Sequence, residues 1–271
     1  MSAPAISIVM PFYNAAPFLG EAVKSILDQT FSNFEFIIIN DGSTDGSEKI
    51  IQSFSDKRIK YILNPENRGL VYSLNKGLDA SEGPLIARMD GDDISMPERL
   101  ERQFEYLRMH PEADLVATQV QLINEKGQPT GFWKEDRENN SPELIKEFLA
   151  VNNCIAHPTI LAKADILQKL RYREAQGQAE DYDLWLRWVS SGYTIHKVDK
   201  VLLQQRILPN SFTRNRQKNV FYKLAATKFR FAVQEMGEMR FNLFVTRTFM
   251  FAITDTIRGT GKYLKQILDR K

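Results

Sequence analysis

One cysteine, Cys154, in 271 residues excludes an intramolecular disulfide and fits a reducing compartment. No apolar run is long enough to span a bilayer. The opening Met-Ser-Ala-Pro-Ala has no basic segment and runs directly into a strand, so a secretory leader is not expected. The first apolar strand meets Pro11-Phe-Tyr-Asn14 instead of clustered glycines, which argues against a dinucleotide fingerprint and against a P-loop. Any phosphate would therefore have to be held by a metal. Internal repeats and low-complexity tracts are also missing. What remains is an ordinary globular composition, 43% hydrophobic and 26% charged, with material for a sizeable core.

Net charge is small, +2, but charge is unevenly placed. Residues 201–271 carry 14 Lys+Arg against 4 Asp+Glu, and the remainder is correspondingly acidic. Such asymmetry speaks of partners and not of fold. Phe221, Phe229, Phe231, Phe241, Phe244, Phe249 and Phe251 are interleaved with those cations. Three accounts are open: a helical subdomain packed on the rest, an interfacial membrane helix, or a nucleic-acid surface. Packing plus peripheral contact with an anionic membrane ranks first. Nucleic acid ranks last, because no nucleic-acid motif accompanies the bases. The expected location is the cytoplasm, at the inner face of the plasma membrane.

Along the first half, strand and helix alternate. Ile6–Met10 and Glu35–Ile39 read as buried strands, Arg58–Leu63 as a third, and Leu85–Met89 as a fourth. Between them, Pro17 opens a helix whose apolar face is Phe18, Leu19, Ala22, Val23, Ile26 and Leu27, and Thr44 or Asp45 can cap a second helix. Leu70, Leu74 and Leu78 stripe a third. This order predicts an α/β fold with a mostly parallel sheet flanked by helices. The carboxyl ends of the strands then gather Tyr13 and Asn14, Asp41, Asn67, and Asp90 with Asp92 into one polar crevice. Later segments read as a helix from Pro97 burying Leu100, Phe104 and Leu107, and a strand over Ala113–Ile123. A helix at Ser141-Pro142, a strand at Pro158–Leu161 and a helix at Glu180 follow. From about Asn215 the pattern is helical, with Gly237, Gly259 and Gly261 as breaks.

The densest chemistry is Met89-Asp-Gly-Asp-Asp93. Three acids within four residues repel one another unless a cation sits among them, and hard oxygen donors suit Mg²⁺ or Mn²⁺. Ser95, Pro97 and Glu98 read as a capping box that places the acids in a tight strand-to-helix connection. Asp41-Gly-Ser-Thr-Asp45-Gly46 starts like a calcium loop, but Gln52 stands where its closing glutamate belongs. It is a plain turn or a ligand-facing loop, and its place after a buried strand favours the latter. Glu180-Asp181 opens a helix, where acids are favoured whatever their task. His157 is a base, a ligand or a structural residue. Trp185 and Trp188 are core, or a sugar platform.

Ser7-Ile-Val-Met-Pro-Phe-Tyr-Asn14, Ser25-Ile-Leu-Asp-Gln-Thr-Phe31, Phe34-Glu-Phe-Ile-Ile-Ile-Asn-Asp-Gly-Ser-Thr-Asp45 and Asn67-Arg-Gly69 resemble the signature of family 2 glycosyltransferases. Asn75-Lys-Gly77, Met89-Asp-Gly-Asp-Asp93 and Glu180-Asp-Tyr-Asp-Leu-Trp185 extend the likeness over roughly residues 5–200. It implies a GT-A fold (nucleotide-diphospho-sugar transferase, Rossmann-like sheet) over 1–205, with a nucleotide half to about 110 and an acceptor half from 111. Residues 206–271 form a basic helical extension. It also implies a nucleotide-sugar donor, a glycan or lipid-linked acceptor in surface polysaccharide synthesis, and an inverting transfer aided by Mn²⁺ or Mg²⁺.

By resemblance, Pro11 and Tyr13 line the base pocket, Asp41 bonds the nucleobase, and Asn67 and Arg68 lie beside the nucleotide. Asp90 holds the ribose and Asp92, with Asp90, the metal. Asp181 is the general base, with Glu180, His157 and Trp185 on the acceptor side. Some relatives carry a cation near the position of Leu70, where this chain offers only Arg68. The long membrane segments of processive synthases are missing, so one transfer per encounter is expected. The alternatives are a non-catalytic nucleotide-sugar or glycan-binding protein on the same scaffold, or a sugar nucleotidyltransferase.

Overall fold

The computed structural model describes residues 3–174, 179–208 and 220–268. Four apolar runs form a parallel half-sheet: β1 (Ile6–Phe12), β2 (Phe34–Asn40), β3 (Ile59–Leu63) and β4 (Leu85–Arg88), in the order β3-β2-β1-β4. Every residue of β1 and β2 is buried, because helices cover both faces. Ile6, Ile8 and Met10 point to the face shared with Leu19, Val23 and Ile26 of α1 (Ala16–Leu27) and Ile51 of α2 (Ser47–Gln52). Val9, Ile37 and Ile39 point to the opposite core, with Leu74 and Leu78 of α3 (Leu70–Asp79). Gly77 allows this approach: a Cβ there would lie 2.3 Å from a methyl of Val9.

The second half adds β5 (Ile94–Ser95), α4 (Arg99–Met109), β6 (Leu115–Ile123), β7 (Pro129–Phe132), α5 (Lys134–Glu138) and α6 (Pro142–Leu149). After these come β8 (Leu161–Lys163), α7 (Ala164–Leu170), α8 (Glu180–Ser190) and β9 (Ile195–Arg206). The sheet continues from β4 through β8, β6 and β9 to β5, with β7 paired to β6. Both pairings of β8 are antiparallel, whereas β6 and β9 run parallel. Ile94 and Ser95 pair with Gln204 and Leu203, so the sheet curls back and delivers the end of β9 to the loop after β4. Two further helices follow, α9 (Val220–Gly237) and α10 (Leu243–Leu268), packed on each other, with α9 also against α8.

Several expectations are corrected. The capping box is not formed. Ser95 lies in β5, its N–H donating to Ser25 Oγ, and α4 starts only at Arg99. Edge pairing with β9 outcompetes the local cap. Buried Arg99 and Gln103 accompany Leu100 on α4, while Phe104 and Leu107 are only partly covered. Neither Thr44 nor Asp45 is the N-cap of α2. Asp45 instead accepts hydrogen bonds from Ser47 N and, across the turn, from Ala16 N at the start of α1, each at 3.0 Å. Residues 157–159 form a 3₁₀ turn closed by Thr159 N to Ala156 O, and the strand begins at Leu161. Pro158 has no N–H to give a ladder. Gly237 ends α9, but Gly259 and Gly261 lie inside α10, and Gly259 sits against the Tyr222 ring. The helix start expected near Asn215 lies outside the described residues.

Candidate active site

The turns after β1 and β2 are one unit. Asn14, in the left-handed region at φ 49°, accepts from Thr44 N through Oδ1, and its own N–H donates to Ser43 Oγ. Ala15 N donates to Ser47 Oγ. The Pro-Phe-Tyr-Asn and Asp-Gly-Ser-Thr-Asp motifs therefore work together because their backbones are stitched to each other.

Pro11 is buried in β1, while Tyr13 in the turn after it and Asn67 and Arg68 in the loop after β3 are exposed. Asp41 is 4% exposed and accepts four hydrogen bonds. Asn64 Nδ2, Ser73 Oγ and Arg68 N reach Oδ1 at 2.8, 3.0 and 3.1 Å, and Gly69 N reaches Oδ2 at 2.8 Å. Asp41 thus folds the 64–69 loop over the end of β2. Gly42, at φ +70°, is needed there, since a Cβ would meet the Glu66 backbone at 2.5 Å. The Arg68 guanidinium lies 4.5 Å over the Tyr72 ring, a cation–π contact with the helix that follows.

One carboxylate oxygen from each of Asp90, Asp92 and Asp93 falls within 4.8 Å of the others. Burial, then the neighbouring Asp90 charge, pushes the Asp92 carboxyl up to about 7. Burial and both other acids drive Asp93 well above the ordinary carboxylate range. Asp93 Oδ2 is buried without a hydrogen-bond partner. Crowded hard oxygens, mutual repulsion and an orphaned oxygen together fit a divalent cation such as Mg²⁺ or Mn²⁺.

Three guanidinium groups stand against these acids, and the sequence reading singled out none of them. Arg88 pairs with Asp90 from within the core, 4% exposed. Arg99, fully buried, is pulled down to about 9 by burial, partly offset by the Asp93 charge. Arg206 is the clamp of the loop. Its N–H donates to Asp93 Oδ1 at 2.8 Å, and its guanidinium reaches the carbonyls of Asp92, Asn124 and Glu125 and the carboxylate of Glu21. It also covers the Phe18 ring at 4.5 Å. Its position just past a basic boundary gave no local signal.

Among the residues expected on the acceptor side, all from Glu180 to Val189 are buried, so α8 is a core helix and not an amphipathic one. Asp181 Oδ1 accepts from Tyr182 N at 2.7 Å and Oδ2 from Asn153 Nδ2 at 2.9 Å. His157 Nε2 lies 2.7 Å from Tyr172 Oη, and its ring meets Trp185 edge-on at 5.9 Å. Burial, with some help from Arg88, holds this imidazole neutral, well below the ordinary histidine range. Trp185 is fully buried, which makes it core. Burial, with the Glu180 and Asp181 charges, pushes the Tyr172 phenol well above its ordinary value.

The family profile described as "Glycosyl transferase family 2" matches residues 7–169. The O-antigen biosynthesis glycosyltransferase WbnJ of Escherichia coli is 36% identical over 207 residues, which cover 74% of this chain and 79% of that protein. TarS 1-349 of S. aureus, solved with UDP, superposes with a TM-score of 0.64 at 21% identity, covering 83% of this chain and 65% of that one. The mannosyltransferase PcManGT of Pyrobaculum calidifontis, solved with GDP-Man and Mn²⁺, gives 0.62 at 15% identity over 96% and 76% of the two chains. The shared fold is the curled α/β sheet with flanking helices expected for a GT-A transferase. The chain is a glycosyltransferase and belongs to glycosyl transferase family 2.

Proposed function

We propose that the enzyme transfers a sugar, with inversion, from a nucleotide-diphospho-sugar, UDP-linked in the first instance, to a hydroxyl of a glycan or lipid-linked acceptor in surface polysaccharide synthesis. The observation that carries this reading is the pairing of two built sites: the convergent Asp90, Asp92 and Asp93 beside the stitched β1–β2 turns, and a carboxylate, Asp181, fixed through both oxygens. WbnJ, named for O-antigen biosynthesis, and TarS, solved with UDP, support the substrate classes.

In this reading Pro11, Tyr13, Asn67 and Arg68 line the nucleotide end of the crevice, and Asp41 shapes the loop that closes it. Asp90 takes the ribose. Asp92 and Asp90 hold Mn²⁺ or Mg²⁺, and the chemistry a cation supplies there is electrostatic stabilisation of charge on the leaving diphosphate. Asp181 accepts the proton of the acceptor hydroxyl as it attacks the anomeric carbon from the opposite side. Neutral His157 and Tyr172 sit beneath the sugar as a polar floor, with Glu180 flanking the acceptor.

The test is a panel of nucleotide-sugars with Mn²⁺ and a glycan acceptor, scored by release of nucleoside diphosphate. Asp92→Ala abolishes transfer and weakens metal-dependent donor binding. Asp181→Asn abolishes transfer while donor binding stays, and full turnover in that variant would remove the proposed base. Donor binding by the wild type without diphosphate release would instead favour the non-catalytic alternative.

The same reading seats the protein on an anionic membrane surface. Among the described residues no helix is long and apolar enough to cross a membrane. The hairpin of α9 and α10 nevertheless presents exposed Tyr222, Phe229 and Val233 beside exposed Met250, Ile253 and Ile257, flanked by exposed Arg230, Arg258 and Lys262. Ile253→Glu with Ile257→Glu in the full chain should abolish sedimentation with phosphatidylglycerol vesicles. Unchanged sedimentation would rule this face out.

A further inference from the structure

Three donors converge on the stretch from Leu149 to Cys154. Tyr182 Oη donates to Leu149 O at 2.7 Å, Lys228 Nζ to Val151 O, and Lys197 Nζ to Cys154 O at 2.9 Å. Between the last two carbonyls sits Asn153, whose Nδ2 donates to Asp181 Oδ2 and whose Oδ1 accepts from Ile155 N. The residue that holds Asp181 is thus fixed from both sides by buried lysines. Lys197 is held by Asp136, and Lys228, on α9, by Asp255 on α10 at 2.6 Å. The Lys197 and Lys228 side chains are both fully buried.

A buried ion pair gives little stability over well-packed apolar side chains of the same volume. Stability alone therefore does not account for Lys228, whereas geometry does: its ammonium hooks the carboxy-terminal hairpin to the loop that holds Asp181. We infer that Lys228, braced by Asp255, is a positioning residue for the base, so that the hairpin takes part in catalysis as well as in docking. The inference rests on Asp181 being the base.

The experiment uses the full chain with donor, acceptor and Mn²⁺. Lys228→Gln with Asp255→Asn removes both charges and leaves neither unpaired. Its kcat should fall at least about tenfold while the donor KM stays within about twofold, because a base displaced by a fraction of an ångström loses its attack geometry. Asn153→Ala should show the same split. Combining it with the Lys228–Asp255 change should cost no more than Asn153→Ala alone, since all act through one contact. An unchanged kcat per folded enzyme, or additive losses, would overturn the inference. Should the amide pair fold poorly, Lys228→Met with Asp255→Leu serves the same measurement with an apolar replacement. Asp181→Asn is run alongside. If it keeps turnover, the base assignment falls. If it is dead while the Lys228 variants keep full kcat, only the positioning role falls.

Discussion

Asp41→Asn tests whether the acid after β2 is chiefly a scaffold for the nucleotide loop. In the native site Oδ1 accepts three hydrogen bonds and Oδ2 one, from Gly69 N at 2.8 Å. The cheapest placement of an amide puts Nδ2 where Oδ2 was. That sets two donors face to face, strands the Gly69 N–H, and turns three charge-assisted bonds into neutral ones. A buried charged hydrogen bond is worth about 1.5–3 kcal/mol and a stranded donor about 1–3 kcal/mol. With local relaxation, a loss of roughly 2–4 kcal/mol follows from these. For a chain of this size, that is a fall in Tm of roughly 5–15 °C. The 64–69 loop loosens with it, so the donor KM rises. The kcat at saturating donor changes little, because Asp92 and Asp181 are untouched. Calorimetry and steady-state kinetics on the same preparation read both quantities. A raised KM with an unaltered Tm would refute the scaffold reasoning and make Asp41 a direct nucleobase contact.

Lys197→Met strands the Asp136 carboxylate, whose side chain is fully buried, and should cost about 3–5 kcal/mol, whereas Lys197→Met with Asp136→Leu should recover most of it. Denaturant melts of the two variants decide, and equal destabilisation of both would show that packing and not charge is at stake. Burial alone would raise the Glu35 carboxyl, but hydrogen bonds from Lys60, Ser7 and the Glu82 N–H overcome it and hold it below the ordinary value. Its contribution is therefore present above the usual carboxylate range and lost as pH falls through the lowered value. The Tm gap between wild type and Glu35→Gln should close in acid, and a gap independent of pH would contradict this. Because three guanidinium groups already stand against Asp90, Asp92 and Asp93, Mn²⁺ alone should bind weakly by calorimetry and at least about tenfold more tightly with UDP present. Equal affinity with and without UDP would mean that the arginines do not offset the acids.

The parallel half of the sheet was legible because its signals are local. β1, β2 and β4 are short apolar runs ending in polar turns, and the acid cluster lies within five residues of chain. The Ser95 capping box was equally local and did not form, since β9 recruits that segment into the sheet from more than a hundred residues away. Arg206 contacts Asp93 across 113 residues, Lys197 reaches Asp136 across 61, and Lys228 meets Asp255 across 27. No periodicity announces such pairs. α8 carries polar residues at spacings that suggest a solvated face, yet that face is buried: Arg187 donates to Leu170 O and Arg171 O at the end of α7 and, at 2.8 Å, to Asp183 Oδ2 within its own helix.

β9 carries contacts to both of the proposed sites. Lys197, near its start, grips the loop that holds Asp181, and Arg206, its last residue, grips the loop of Asp92 and Asp93. A straight strand would separate the two by about 30 Å at 3.3 Å per residue. β9 is not straight. Opposite Thr118–Val120 of β6 the register jumps from Val198 to Val201 and then to Leu203. The extra residues, among them exposed Asp199 and Lys200, bulge outward and bend the strand. β9 stays paired with β6 from Ile195 to Arg206, and only its carboxyl end also takes β5, next to the acid loop, on its other edge. A single irregular strand therefore touches both proposed carboxylate sites, its start through buried Lys197 on the Cys154 carbonyl and its end through buried Arg206 on Asp93.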